Sequence, residues 1–384
     1  MKRYNNLYNY ICNIDVIMDM YDNVVAKNTK NKSKIEKFDK FYSINIVKIK
    51  EFIMKKNHEP CKYNIFLIKE PKYRIIMSQE LIDKVVNHLV ANYFISFLFE
   101  RTLIPENTAT RIGKGTHYAL RLFNRYYNDY KNKYDKFYVL KFDISKYFYN
   151  IDHEIVKEML NKKIKDKRVI ELISSILEST DLDYVNDTII KLKNNEIERI
   201  NNLNIKESEK KLKIKEVEKL PIYQKGKGCP IGNMSSQMIA TIYLNELDHY
   251  IKDNFDVKYI RYMDDGVVIH NDKEVLKNCL KEIEKKVNKY KLVLNKKTKI
   301  FSSCEEIEFL GFRFITNNNK RIIMKVTNKT KKRFKKNIKV RKNEFENNLI
   351  SFDKYRSVRD SYLGHLNHGS CNRLVYSTLN NHNI

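Results

Sequence analysis

Residues 258–269 read Lys258-Tyr-Ile-Arg-Tyr-Met-Asp-Asp-Gly-Val-Val-Ile269. Two short runs of β-branched and aromatic residues, Lys258–Tyr262 and Gly266–Ile269, flank a tight Met263-Asp264-Asp265 turn, the pattern of a β-hairpin with two carboxylates at its tip. Alone, such a pair is most often a solubility device. It gains meaning from Phe137-Tyr-Val-Leu-Lys-Phe-Asp143 upstream. That stretch alternates as a strand, with Tyr138, Leu140 and Phe142 on one face and Lys141 and Asp143 on the other. A strand ending in one acid and a hairpin tip holding two can converge in a single cleft, because a tight turn relaxes the strict alternation of side chains. Three clustered carboxylates repel one another unless divalent cations lie between them. Two oxygen-liganded Mg²⁺ about 4 Å apart would fit such a cluster.

The flanking sequence predicts an α+β architecture. Tyr63 to Ile76 reads as a hairpin turning at Glu70-Pro71-Lys72-Tyr73, and 79–103 as an apolar-rich helical stretch. Asp152 is placed to cap a helix starting at His153, and Asn233 to cap a long helix running to about Ile251. Val275, Leu276, Cys279, Leu280, Ile283, Val287 and Tyr290 form one stripe of an amphipathic helix. A final strand pair surrounds Phe309-Leu-Gly-Phe-Arg-Phe314. This order predicts a mixed sheet backed by helices. Residues 183–220, almost wholly charged from Lys206 to Lys219, read as a solvated helix or helical hairpin inserted at the surface.

The 384 residues carry 74 Lys+Arg against 47 Asp+Glu, a net charge of +27, and 42% are hydrophobic. A core is affordable and wholesale disorder is excluded. AT-rich coding inflates lysine everywhere, but it does not strip acids from one region. Arg313 to Asn343 holds thirteen Lys/Arg and no Asp or Glu, the footprint of phosphate-backbone contact, with binding that weakens steeply in salt. Only nine glycines and five prolines occur, so flexible interdomain linkers are not expected. Six scattered cysteines without a CxxC pair argue against a disulfide framework or structural zinc. The absence of a long apolar run and of a signal-peptide core after Lys2 and Arg3 predicts a cytoplasmic protein without membrane partners.

Taken in order, Phe142-Asp-Ile-Ser-Lys-Tyr-Phe148, Gly228-Cys-Pro-Ile-Gly-Asn-Met-Ser-Ser-Gln237 and Tyr262-Met-Asp-Asp265 resemble the A, B and C motifs of reverse transcriptases. Leu294-Asn-Lys-Lys-Thr-Lys-Ile300 resembles motif D, and Phe309-Leu-Gly-Phe312 the primer grip of motif E. Glu70-Pro-Lys-Tyr-Arg74 and Arg111-Ile-Gly-Lys-Gly-Thr-His117 resemble the fingers motifs of bacterial members. The resemblance spans about 60–315 and is closest to reverse transcriptases of diversity-generating retroelements, because Pro230-Ile231-Gly232 stands where group II intron and retron enzymes carry Pro-Gln-Gly. Defence-associated bacterial reverse transcriptases are the main competing kinship.

The resemblance implies a right hand: an N-terminal extension over 1–45, fingers over 46–135, a palm over 136–182 and 221–312 interrupted by the 183–220 insert, and a basic thumb over 313–384. It implies Asp143, Asp264 and Asp265 as the acids holding two Mg²⁺, with Mn²⁺ a substitute and the Ile144 carbonyl a further ligand. Lys72, Arg74, Arg111 and Gln237 would serve the nucleotide or template. Phe148 would bar a 2′-hydroxyl, favouring deoxynucleotides. Ile231, offering no polar readout of the base pair, would relax fidelity by the order of 1–3 kcal/mol. Lys297, or Lys299 in an alternative register, would assist pyrophosphate departure. Phe309, Gly311 and Phe312 would shape the primer contact, and Lys331, Lys332, Arg333, Lys335 and Lys336 would follow the primer–template backbone. The expected partners are an RNA template, its RNA/DNA duplex and dNTPs, joined by a small accessory protein or a structured non-coding RNA. No endonuclease or RNase H region is expected after the thumb. Two rival readings are a catalytically silent RNA-binding scaffold, opposed by the intact acids, and an RNA-directed RNA polymerase, opposed by Phe148.

Overall fold

The computed structural model describes residues 3–55, 58–316 and 322–380. The chain divides into two compact units, Met1–Thr110 with Ile144–Asp253 and Glu282–Asn295, and Arg111–Asp143 with Asn254–Lys281 and Lys296–Ile384. Among the described residues no helix is long and apolar enough to cross a membrane.

The first unit is mostly helical and carries one antiparallel hairpin, β1 (Asn64–Ile68) and β2 (Arg74–Ser78), in the register Phe66↔Ile76. Alternation sends Ile65, Ile75 and Met77 inward while Asn64, Phe66 and Arg74 stay exposed. Asp152 caps the His153–Lys163 helix as its sequence predicts, accepting from the Ile155 amide at 3.2 Å. Asn233 does not cap in this way. Its amide donates to the Tyr63 hydroxyl at 2.6 Å, and the expected long helix breaks at Leu244 into Met234–Tyr243 and Asn245–Asn254.

The insert is a helical hairpin, Asp183–Asn201 and Glu207–Glu218, but it is not simply solvated. Val185 and Ile189 join Tyr63, Ile65, Ile75 and Met77 in one buried cluster. Ile200 and Val217 enclose Tyr73 in another. Sparse aliphatics at helical spacing were enough to fasten it to the β1–β2 hairpin.

The second unit contains a four-stranded sheet of β3 (Tyr138–Phe142), β4 (Lys258–Tyr262), β5 (Asp265–His270) and β6 (Lys299–Ser302), in the order β4-β5-β3-β6. Every hydrogen-bonded pair is antiparallel, which corrects the expectation of a mixed sheet. β3 and β4 do run in the same direction, but β5 lies between them. The amphipathic Thr116–Lys133 helix lays Ala119, Leu120, Phe123, Tyr126 and Tyr127 into a core with Val139, Ile260, Val267 and Ile269. Each fully buried aromatic or aliphatic side chain there contributes roughly 1.5–3 kcal/mol.

Instead of a final strand pair, this unit has three antiparallel strands: β7 (Ile307–Phe309), β8 (Phe312–Thr316) and β9 (Ile322–Val326). The β-branched Ile322-Ile323 pair starts a strand inside the basic segment. The basic run is therefore divided. Arg313 sits on β8, paired with Glu306 at 2.9 Å; Lys320 and Arg321 lie outside the described residues; and the helix spans Asn328–Glu346, capped by the Thr327 hydroxyl.

Candidate active site

In the second unit, the register Phe142↔Gly266 and Tyr262↔Asp265 determines where the acids fall. Continuing it by one residue sets Asp143, which follows β3, opposite Asp265 at the start of β5. Met263 and Asp264 form the two-residue turn between β4 and β5. Met263 takes a positive φ of 56°, the conformation that lets so short a turn match strand twist. Such a backbone is costly for a residue with a Cβ. It is held by Arg261, a fully buried side chain whose guanidinium donates to the Met263 carbonyl at 2.8 Å.

Gly266 sets the spacing from beneath. A Cβ there would lie 2.1 Å from the Phe142 ring, so the buried ring occupies the place of the missing side chain and brings the two acid-bearing strand ends together. Neither Arg261 nor Gly266 was singled out from sequence. The glycine inside an otherwise β-branched strand was the available signal.

All three acids are half-buried. Burial, then the neighbouring Asp265 and Asp143 carboxylates, push Asp264 up to about 7, and its side chain is within hydrogen-bond reach of Asp143. Burial likewise raises Asp265; Lys141, 4.0 Å away, opposes the rise and Asp143 adds to it. Among the described residues no three His, Cys, Asp or Glu side chains already surround one ion position. A cation between these carboxylates would relieve the repulsion that raises Asp264. The donor set, carboxylate oxygens beside the Lys141 ammonium, fits hard divalent ions. Asp143, Asp264 and Asp265 are the residues that would hold such ions.

Other residues expected at the site are distributed over both units. In the second, Lys297 is exposed on the segment entering β6, which pairs with β3. Lys299, its alternative, is engaged with Glu305 at 2.9 Å. Arg111 is half-buried ahead of the Gly113 and Gly115 turns. Phe309 and Phe312 are fully buried in the core. Gly311 makes no close approach. It is needed for a positive φ of 85°, beside Leu310 at 46°, in the β7–β8 turn. Lys331, Lys332, Lys335 and Lys336 are exposed on the Asn328–Glu346 helix, with Arg333 half-buried.

In the first unit, Lys72 and Arg74 are exposed on the hairpin. Phe148, on the Tyr147–Asn150 helix, is half-buried, and its carbonyl accepts from the Cys229 amide at 2.7 Å. The Ile231 carbonyl accepts from the Met77 amide of β2 at 2.8 Å, while the Ile231 side chain packs partly buried against the Ile75–Met77 cluster. These bonds tie Phe148, Ile231 and the Arg74-bearing strand into one framework. Gln237 is half-buried in the Met234–Tyr243 helix. Ile144 is buried and bridges to Leu294.

A family model described as "Reverse transcriptase (RNA-dependent DNA polymerase)" matches residues 53–314. No curated protein matches the chain. Among solved structures it is similar to apo telomerase from Candida tropicalis truncated from C-terminal domain, at 16% identity and a TM-score of 0.43. That match covers 69% of this chain and 55% of the other, so the chain spans little more than half the length of that relative.

Proposed function

The chain belongs to the reverse transcriptase family, and on that premise we propose that it is an RNA-directed DNA polymerase, extending a primer with dNTPs on an RNA template. The observation that carries this reading is the meeting of Asp143, Asp264 and Asp265 at one strand end and one hairpin tip, built around the Phe142–Gly266 contact. Asp143, Asp264 and Asp265, with the Ile144 carbonyl, would hold two Mg²⁺. Bound there, the ions supply activation of the primer 3′-hydroxyl and neutralise charge on the departing pyrophosphate.

The remaining roles belong to the chain's own side chains. Lys72 and Arg74 bind phosphate oxygens, and Lys297 offers its ammonium to the leaving group. Phe148 excludes a 2′-hydroxyl. Ile231 contacts the nascent pair without a hydrogen bond, which supports error-prone copying of the diversity-generating kind. The exposed lysines of the Asn328–Glu346 helix follow the duplex backbone.

Primer extension on an RNA template, with wild type beside Asp264→Ala/Asp265→Ala, tests the reading. Extension with dNTPs by wild type alone is expected. An inactive wild type points to a silent scaffold, and extension preferring rNTPs to an RNA-directed RNA polymerase; either result overturns the proposal.

A further inference from the structure

The insert meets the β1–β2 hairpin through one carboxylate. Glu196, buried to 4% side-chain exposure, stands among four donors on three residues. Its Oε1 accepts from Arg199 Nη2 at 2.6 Å and from the Tyr73 hydroxyl at 3.2 Å. Its Oε2 accepts from Arg199 Nε at 2.8 Å and lies 2.6 Å from Lys69 Nζ. Lys69 and Tyr73 are the two ends of the turn that carries Lys72 and leads into Arg74. One acid therefore clamps both ends of that turn, with every lone pair engaged. Burial alone would raise its carboxyl, but the bonds from Arg199 and Lys69 hold it at about 2, so it stays charged.

The clamp has a rigid base. The Tyr184 hydroxyl accepts from the Tyr63 amide just before β1 at 2.7 Å, and Asn186 bonds both the amide and the carbonyl of Tyr223 at 3.0 Å. Lys193 joins the two insert helices by donating to the Glu218 and Leu220 carbonyls, each at 2.9 Å. Tyr73 itself is enclosed by Ile200 and Val217.

We infer that the 183–220 insert is a brace for the β1–β2 hairpin and that Glu196 is its positioning residue, fixing the turn so that Lys72 and Arg74 are presented to the incoming triphosphate. The inference rests on the polymerase reading for the triphosphate and on the structure for the brace. Lys69 and Arg199 spend their charge on Glu196, which leaves the hairpin's phosphate-facing charge to Lys72 and Arg74. Pre-organisation of this kind lowers the cost of binding without touching the reacting atoms.

The test uses the full chain: wild type, Glu196→Gln, Glu196→Asp, Arg74→Ala and the Glu196→Gln/Arg74→Ala double variant. Single-nucleotide incorporation is measured with hydrogen exchange over 64–78. Glu196→Gln is expected to raise KM for dNTP about tenfold with kcat within about twofold, because binding rather than chemistry is weakened. Exchange over 64–78 should accelerate, Glu196→Asp should recover part of the KM loss, and the double variant should be no worse than Arg74→Ala. Unchanged exchange over 64–78, an unchanged KM despite faster exchange, or losses that multiply in the double variant would each overturn the inference. Should Glu196→Gln fail to fold, Lys69→Met removes one leg while Glu196 keeps Arg199, with a KM rise of about threefold expected and no rise contradicting the brace. An inactive wild type would sink the polymerase reading instead, and exchange alone would then judge the brace.

Discussion

Replacing Asp264 by asparagine should stabilise the metal-free protein while abolishing its chemistry. Its carboxyl moves from 3.8 to about 7, through burial first and the Asp265 and Asp143 charges second. That rise corresponds to a ceiling of about 4 kcal/mol, at about 1.4 kcal/mol for each tenfold change in proton affinity. The side chain is only half-buried, and solvent screening reduces this to roughly 2 kcal/mol. The sign follows from proton linkage. A carboxylate whose folded pKa is raised holds a proton in the folded state that the unfolded chain has released, so wild-type stability falls as pH rises from about 4 to about 7. Above that window the cost is complete. Asparagine never ionises and escapes it. Thermal melts in EDTA should therefore coincide below pH 4 and separate progressively, with the variant melting several degrees higher at pH 8. Magnesium should then raise the wild-type midpoint at pH 8 and leave Asp264→Asn unmoved. A variant no more stable than wild type at pH 8, or a gap independent of pH, would refute the argument that like charges are crowded at this hairpin tip.

Three further outcomes follow from the same geometry. Phe148→Ala should raise ribonucleotide incorporation in single-nucleotide kinetics; an unchanged dNTP/rNTP preference would remove the steric gate. Ile231→Gln, which supplies a polar group beside the Pro230–Gly232 loop, should lower misincorporation by about tenfold in cDNA sequenced from a defined template, equivalent to about 1.4 kcal/mol. Equal error spectra would show that Ile231 does not set fidelity. Gly266→Val places a side chain where the Phe142 ring lies, so it should destabilise the second unit by about 1–3 kcal/mol and abolish extension, with Phe142→Ala in the same chain recovering part of the stability. Full activity in Gly266→Val alone would mean that the strand spacing is not what positions the acids.

The acid-bearing elements were legible because local chemistry decides them. Alternation gave β3, and a tight Met263-Asp264-Asp265 turn between β-branched runs gave the β4–β5 hairpin, although Asp265 lies on β5 and the turn proper is Met263-Asp264. The antiparallel order β4-β5-β3-β6 was not legible, since it depends on β5 returning between two strands that run the same way. Asn233 carried a local capping signal that lost to a tertiary partner, Tyr63. Phe309 and Phe312 occupy a motif position associated with the primer, yet their rings are core, and only the Leu310–Gly311 turn carries the motif to the surface. The charge density of the insert concealed its attachment, because its buried residues, Val185, Ile189, Glu196, Ile200 and Val217, are a small minority. Arg261 was invisible for the opposite reason: in a chain with 74 basic residues, nothing in the sequence marks the one buried beneath the turn.

We propose that Asp143, Asp264 and Asp265 jointly hold two divalent ions. Anomalous diffraction from crystals of the chain with Mn²⁺, a primed RNA template and a non-hydrolysable dNTP measures this most directly. Two manganese peaks about 4 Å apart, ligated by all three carboxylates, are the predicted result. A single peak, or a pair that leaves Asp264 unligated, would contradict it.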